Sequence, residues 1–62
     1  MTFGAQIRAA RLERGWTQQE LADAAGVSRP TVARVEAGED VSTATLEKVA
    51  GALGMGLRLG PR

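Results

Sequence analysis

Cysteine and histidine are both absent from this chain of 62 residues. Without cysteine there can be no disulfide bond, and without either residue type the usual ligands of a structural zinc site are missing. A domain this small buries only about 60% of the surface that its unfolded chain exposes, so many such domains need a disulfide, a metal or a second subunit. We therefore expect no metal and no cofactor, and self-association is the remaining route to stability.

The chain also lacks an apolar run long enough to span a bilayer, and its first residues, MTFGAQIRAAR, lack the apolar core and cleavage site of a signal peptide. These absences lead us to expect a cytoplasmic location and no membrane partner. There is no His, no Cys and no pair of carboxylates in a plausible cleft, so we do not expect an enzyme. The glycines of GALGMG follow neither the order of a nucleotide-binding loop nor a strand.

The formal net charge of +1 is small, but the charges are unevenly distributed. Five arginines lie between positions 8 and 34 against three acidic residues, and four acidic residues then follow from Glu36 to Glu47 without a base. This pattern is compatible with one face that meets an anion and another that is turned away from it. On charge alone, a solvated surface of mixed charges is the simpler interpretation.

Apolar periodicity and end signals predict two helices in the first half of the chain. The first is expected from about Thr2 to Arg14, with Gly15 as its stop. The second begins with the capping box T-x-x-E at Thr17 and ends at Gly26 after about two turns. The predicted buried faces contain Phe3, Ile7 and Ala10 in the first helix and Leu21, Ala22 and Ala25 in the second.

Two further helices are predicted in the second half. Ser28 can cap the third, which Gly38 ends, and Ser42 or Thr43 can cap the fourth, which ends at Gly54. The predicted buried residues are Val32 and Val35, then Leu46, Val49, Ala50 and Leu53.

Pro30 lies near the start of the third helix, where no intrahelical hydrogen bond is lost. A residue before proline is displaced from the α region, so either Ser28 is the cap or Arg29 is. We favour Ser28, with its side-chain oxygen accepting from the Thr31 N–H.

The last eight residues, MGLRLGPR, change the apolar period from that of a helix to that of a strand. The apolar positions are Met55, Leu57 and Leu59. A lone strand has no partner in a helical domain, so we expect residues 55–62 to pair with a second copy, beside a helical domain at 1–54. A frayed tail is the alternative.

Two short helices joined by a tight turn containing Gly, the second with Arg and Thr near its start, are typical of a helix-turn-helix. The run WTQQELADAAGVSRPTVARVEAG, residues 16–38, resembles the helix-turn-helix of Cro/C1-type (phage lambda repressor-like) DNA-binding domains. The match includes the T-Q-x-x-L-A start, the G-V-S turn and the final E-x-G. With Ile7, Arg8 and Arg11 upstream and TLEKVAGALG downstream, it covers nearly the whole chain.

The resemblance implies an all-α, four-helix lambda repressor-like fold. A short C-terminal β-strand that pairs across a dimer would give the chain a layout similar to that of HipB-like antitoxins. The resemblance further implies that the DNA-binding residues are Thr17, Gln18, Arg29, Thr31 and Arg34.

Within that set, the resemblance implies that Gln18 contacts a phosphate and braces Arg29, and that Arg29 and Arg34 reach base edges. Thr17 and Thr31 would contact phosphate or sugar. An arginine fork matches the O6 and N7 atoms of guanine, although a contact to phosphate alone is the alternative for each arginine. Arg11 and Glu36 are expected to form a structural ion pair.

The loop of Glu39, Asp40 and Val41 departs from the family pattern, because many relatives carry Lys or Arg there. Fewer phosphate contacts are then expected, which counts against tight binding of DNA by a single copy.

The resulting prediction is a homodimeric repressor that binds double-stranded DNA at a palindromic operator. It could be the antitoxin of a toxin–antitoxin pair, with a toxin protein as a second partner. A phage-type or restriction-controller regulator is the alternative within the same class. A protein-interaction module that uses the same fold without reading DNA is the alternative from another class.

Overall fold

The computed structural model describes residues 2–55, and within this range the chain folds into four helices and no strand. The helices are α1 (Phe3–Glu13), α2 (Gln18–Ala25), α3 (Arg29–Glu36) and α4 (Thr43–Ala52). The predicted all-α fold is thus confirmed for this range, with helix ends within a residue or two of those expected. No helix in the described range is both long enough and apolar enough to cross a membrane.

Each helix begins after a Ser or Thr whose side-chain oxygen accepts a backbone N–H from three residues further on. At Thr17 the predicted capping box is complete: Oγ1 accepts from the Glu20 N–H at 3.0 Å, and the Thr17 N–H donates to Glu20 Oε1 at 2.8 Å. Of the two caps predicted for α4, Ser42 is the one used. Polar side chains therefore fix where each helix starts.

Each helix ends in a turn closed by two backbone hydrogen bonds around a glycine of positive φ, the Schellman motif. After α2, the Val27 N–H donates to the Ala22 carbonyl at 3.0 Å while Gly26 has a φ of +72°. A residue with a Cβ atom adopts this φ only at a cost, so glycine allows the chain to pass from α2 to α3 through three residues. The four glycines are Gly15, Gly26, Gly38 and Gly54.

The core lies where the inner faces of the four helices meet, and the side chains predicted to be buried supply it. Eight apolar residues of the described part of the chain are buried: Ile7, Leu21, Ala22, Val32, Val35, Val49, Ala50 and Leu53. The other predicted positions, Phe3, Ala10, Ala25 and Leu46, are partly buried against this cluster. Since α2 packs on both α3 and α4, and α1 packs on α3, the orientation of α3 is set from two sides.

A close approach of α1 to the end of α3 depends on Gly4, which is buried. A Cβ atom at position 4 would overlap the carbonyl oxygen of Val35 and lie 2.9 Å from that of Glu36. The backbones of the two helices could not come this near each other with a larger residue at position 4.

Met55, the first residue of the predicted C-terminal strand, lies in the turn that ends α4. Its N–H donates to the Ala50 carbonyl at 2.9 Å, and its side chain packs, partly buried, against the core. The predicted dimer residues Leu57 and Leu59, with the rest of the predicted strand, lie outside the described residues.

Candidate nucleic-acid interface

Helix α3 buries one side and presents the opposite side to solvent. Val32 and Val35 enter the core, while Pro30 and Arg34 are exposed. Because successive residues are rotated by about 100° around a helix, Pro30, Ala33 and Arg34 fall on the side away from Val32 and Val35, with Arg29 at its edge. A helix held by its neighbours and exposed along one face can enter a groove of DNA.

The start of α3 has the geometry that was favoured from the sequence. Ser28 is the cap, its Oγ accepts from the Thr31 N–H at 3.3 Å, and the two hydroxyl oxygens lie 2.8 Å apart. Arg29 is the first helical residue and Pro30 the second. Proline fixes its own φ, so the backbone that carries Arg29 is restrained on its C-terminal side.

The predicted pair between Arg11 of α1 and Glu36 at the end of α3 is present and largely buried. Arg11 Nε donates to Glu36 Oε2 at 2.7 Å and Nη2 donates to Oε1 at 3.1 Å, while Nη1 donates to the Trp16 carbonyl at 2.8 Å. The two side chains are only 9% and 5% exposed. The hydrogen bond that Arg11 donates to Glu36 raises the pKa of Arg11 above its ordinary value, although burial opposes this shift. The pair is a fixed ionic contact between α1 and α3.

Gln18 connects this buried pair to Arg29. Its Nε2 donates to Glu36 Oε1 at 3.2 Å, and its Oε1 accepts from Arg29 Nη1 at 3.3 Å. A carboxylate only accepts and a guanidinium only donates, so the two partners fix the orientation of the amide. The expected contact of Gln18 with Arg29 is present, and the guanidinium at the start of α3 is joined through two side chains to α1.

Arg34, one turn further along α3, has a different environment. Its Nε lies 3.6 Å from Glu39 Oε1, and both side chains are about three-fifths exposed, at 61% and 60%. This separation is an ion pair without a well-formed hydrogen bond, and exposed pairs of this kind contribute little to stability. Arg34 can therefore move to another partner readily.

The two predicted phosphate or sugar contacts, Thr17 and Thr31, lie at the starts of α2 and α3. Each hydroxyl takes part in the hydrogen bonds that begin its helix. A hydroxyl has two acceptor lone pairs and one proton, so each can make a further bond to a phosphate oxygen. The structure places all five predicted DNA-binding residues on the α2–turn–α3 unit.

One arginine from the basic half of the chain belongs to the framework instead. Arg14 Nη2 donates to the Leu53 carbonyl at 2.9 Å, and its guanidinium carbon lies 5.1 Å from the centre of the Trp16 ring, within range of a cation–π contact. Arg11 is buried and Arg14, although exposed, is engaged with Leu53 and Trp16, so two of the five arginines of that half serve the framework. Counting charges along the sequence overstated the basic surface.

The sequence did not lead us to predict the contact between Arg34 and Glu39. The acidic loop indicated only that phosphate contacts would be fewer. A signal for it is present: once Gly38 is assigned as the glycine that ends α3, the residue after it commonly lies beside the residue five positions earlier. Glu39 follows Gly38, and Arg34 is that earlier residue.

Comparison with known proteins agrees with this geometry. The model of a family described as Helix-turn-helix matches residues 7–59. The chain is also 48% identical over 56 residues to a curated protein named "Immunity repressor protein" from Bacillus phage phi105. That alignment covers 89% of this chain and 39% of the relative, so the chain spans about two fifths of the length of the protein it matches.

Proposed function

The chain belongs to the helix-turn-helix family, and from that premise we propose that it is a sequence-specific, DNA-binding transcriptional repressor without enzymatic activity. The observation that carries this proposal is the hydrogen-bonded series from Arg11 through Glu36 and Gln18 to Arg29. It holds a guanidinium at the start of the exposed face of α3, where a DNA-reading helix needs one.

In this proposal α3 enters the major groove and its two exposed arginines contact base edges. Guanine presents two acceptors there, O6 and N7, which fit a pair of arginine N–H donors. Gln18 and Pro30 restrain Arg29, whereas Arg34 approaches from the next turn. Thr17, Thr31 and the amide of Gln18 would contact the phosphate backbone on either side and set the register.

We further propose that the repressor binds a palindromic operator as a homodimer. The formal charge of +1 and the acidic residues that follow α3 leave one copy with few phosphate contacts, which favours two copies acting together. Two recognition helices about 34 Å apart would read half-sites one helical turn apart. The dimer contact is proposed to include Met55, Leu57 and Leu59.

Among the more specific roles, we favour a phage-type repressor over a restriction controller or an antitoxin with a toxin partner. The reason is the identity of 48% with the phage immunity repressor. The antitoxin hypothesis depends on the C-terminal residues and on chain length, which are weaker grounds. A toxin-like reading frame beside the gene would reverse this preference.

The DNA-reading proposal can be tested with Arg29→Ala and Arg34→Ala. The target is the duplex that the wild-type chain selects from a random-sequence pool, with titrations over a range of salt concentrations. Each change should weaken binding by about 1–3 kcal/mol and relax the preference at one base pair. Arg8→Ala is the matched control, since it removes an equal charge from an exposed position on α1.

If the selected duplex binds both variants as tightly as wild type, with the same dependence on salt, α3 does not read bases. The fold would then be better explained as a module that binds another protein. The dimer proposal has its own test: truncation after Gly54 should shift the mass in solution from dimer to monomer, and an unchanged mass would remove the C-terminal residues from the argument.

A further inference from the structure

We propose that Glu39 competes with DNA for Arg34 and thereby lowers the affinity of the repressor for its operator. The inference rests on the proposed function, because it concerns an arginine assigned to the groove. It goes further by giving a role to an acidic residue that contacts no base in that assignment. Glu39 would act as an internal substitute for the DNA anion.

The backbone keeps Glu39 beside Arg34. The Schellman turn that ends α3 has Gly38 at a φ of +79°, with hydrogen bonds from Gly38 N–H to the Val35 carbonyl at 3.1 Å and from Glu39 N–H to the Arg34 carbonyl at 3.0 Å. In such a turn the residue after the glycine commonly makes an apolar contact with the residue five positions before it. Here that contact is between opposite charges.

The strength of the pair suits an exchange of partners. At 3.6 Å and with about three-fifths of each side chain exposed, the attraction is too weak to hold Arg34 permanently. In the proposed complex the guanidinium leaves Glu39 for guanine or phosphate, and the unpaired carboxylate then remains close to a polyanion. Both effects weaken binding, and neither needs a change in the fold.

Asp40 provides the matched control. It is the next residue, it is exposed, and it makes no hydrogen bond or ion pair within the described range. Asp40→Asn therefore removes one negative charge from the same loop without releasing an arginine. A general electrostatic effect of the loop should appear equally in Asp40→Asn and Glu39→Gln, whereas competition for Arg34 should appear only in Glu39→Gln.

The experiment measures binding of the full chain to the duplex selected by the wild-type protein. Glu39→Gln should strengthen binding at low salt by about two- to fivefold more than Asp40→Asn does. This excess should shrink as salt is raised, because an exposed ion pair is screened. In an Arg34→Ala background, the two substitutions should have equal effects, since no arginine remains to be released.

Equal effects of Glu39→Gln and Asp40→Asn in the presence of Arg34 would overturn the inference, and so would an excess that persists without Arg34. Weaker binding by Glu39→Gln would also overturn it, because Glu39 would then support Arg34 in the complex. Failure of the proposed function is recognised separately. In that case Arg34→Ala alone would bind like wild type, and both proposals for this arginine would be abandoned.

Discussion

Two arginine–glutamate pairs meet at α3, and they have opposite characters. The pair of Arg11 with Glu36 is bidentate, less than a tenth exposed, and continues through Gln18 to Arg29. The pair of Arg34 with Glu39 is separated by 3.6 Å and is mostly exposed. An arginine and a glutamate therefore form a fixed contact at one place and an exchangeable contact at the other.

The difference shows how one short helix can present two arginines with unequal freedom. Arg29 is held through side chains that reach α1, so its direction depends on the packing of three helices. The direction of Arg34 depends on its own helix and on the turn that follows it. We expect a change in helix packing to alter the direction of Arg29 first. A change in salt concentration should alter the contacts of Arg34 first.

The substitution with the largest expected effect on stability removes one partner of the buried pair. Glu36→Ala leaves Arg11 charged and buried without its carboxylate, so it should lower the free energy of unfolding by about 3–5 kcal/mol. Urea denaturation, monitored by the fluorescence of Trp16, would measure the loss. Trp16 is the single tryptophan of the chain.

Glu39→Ala is the counterpart at the exposed pair and should change the free energy of unfolding by less than about 1 kcal/mol. Equal losses from the two substitutions would show that burial does not distinguish the pairs. The double substitution of Arg11→Met with Glu36→Leu should be more stable than Glu36→Ala, because no unpaired charge is then left inside.

A second substitution tests the close backbone approach that brings the buried pair together. Gly4→Ala places a methyl group against the carbonyl oxygens of Val35 and Glu36, so α1 must move away from α3. We expect a loss of about 1–3 kcal/mol in the free energy of unfolding, measured in the same denaturation assay.

The matched control for Gly4→Ala is Gly51→Ala in α4, where an added Cβ atom would meet nothing within 4 Å. There the substitution should stabilise the protein by about 0.4–1 kcal/mol, because alanine favours the helix and restricts the unfolded chain. Destabilisation at both positions would contradict the importance of the close approach at Gly4.

A third substitution, with a smaller expected effect on stability than Glu36→Ala or Gly4→Ala, removes the link between the buried pair and Arg29. Gln18→Ala should reduce the free energy of unfolding by only about 0.5–1.5 kcal/mol, but it should weaken the preference for the base pair assigned to Arg29. Binding to a panel of duplexes with single base-pair changes would show this, while the preference assigned to Arg34 stays as in wild type.

Gln19→Ala is the control for Gln18→Ala, since within residues 2–55 the Gln19 side chain bonds only to Asp23, on the exposed side of α2, at 2.9 Å. Its loss should leave both base preferences intact. If Gln18→Ala weakened the binding preference equally at the two base pairs, the two arginines would not be independently oriented.

Much of the fold could be predicted because its determinants are local. Ser and Thr caps and helix-ending glycines act within a few residues, so Thr17, Ser28, Gly26 and Gly54 identified helix ends directly. The buried faces followed from apolar periodicity. The joint between Arg11 and Glu36 came from resemblance instead, since no local pattern links residues 25 positions apart.

Other features could not be predicted because they arise from how the helices meet. Gly4 in a helix reads as an unfavourable residue, and only the packed structure shows that its missing Cβ atom makes room for α3. The bond from Arg14 to the Leu53 carbonyl similarly requires knowing where α4 ends relative to α1. Pairing across a dimer through residues 55–62 stays a prediction.

The two-sided hydrogen bonding of Gln18 restricts which amino acids can occupy position 29. Its Nε2 must donate to Glu36, so its oxygen is left facing residue 29, and a side chain there that bonds to Gln18 has to be a donor. Asp or Glu there would face an acceptor, and turning the amide over would set its oxygen against the Glu36 carboxylate. Acidic side chains are the ones that accept from the amino group of cytosine. An operator change that needs an acidic side chain at position 29 therefore requires position 18 to change too, whereas position 34 can vary alone.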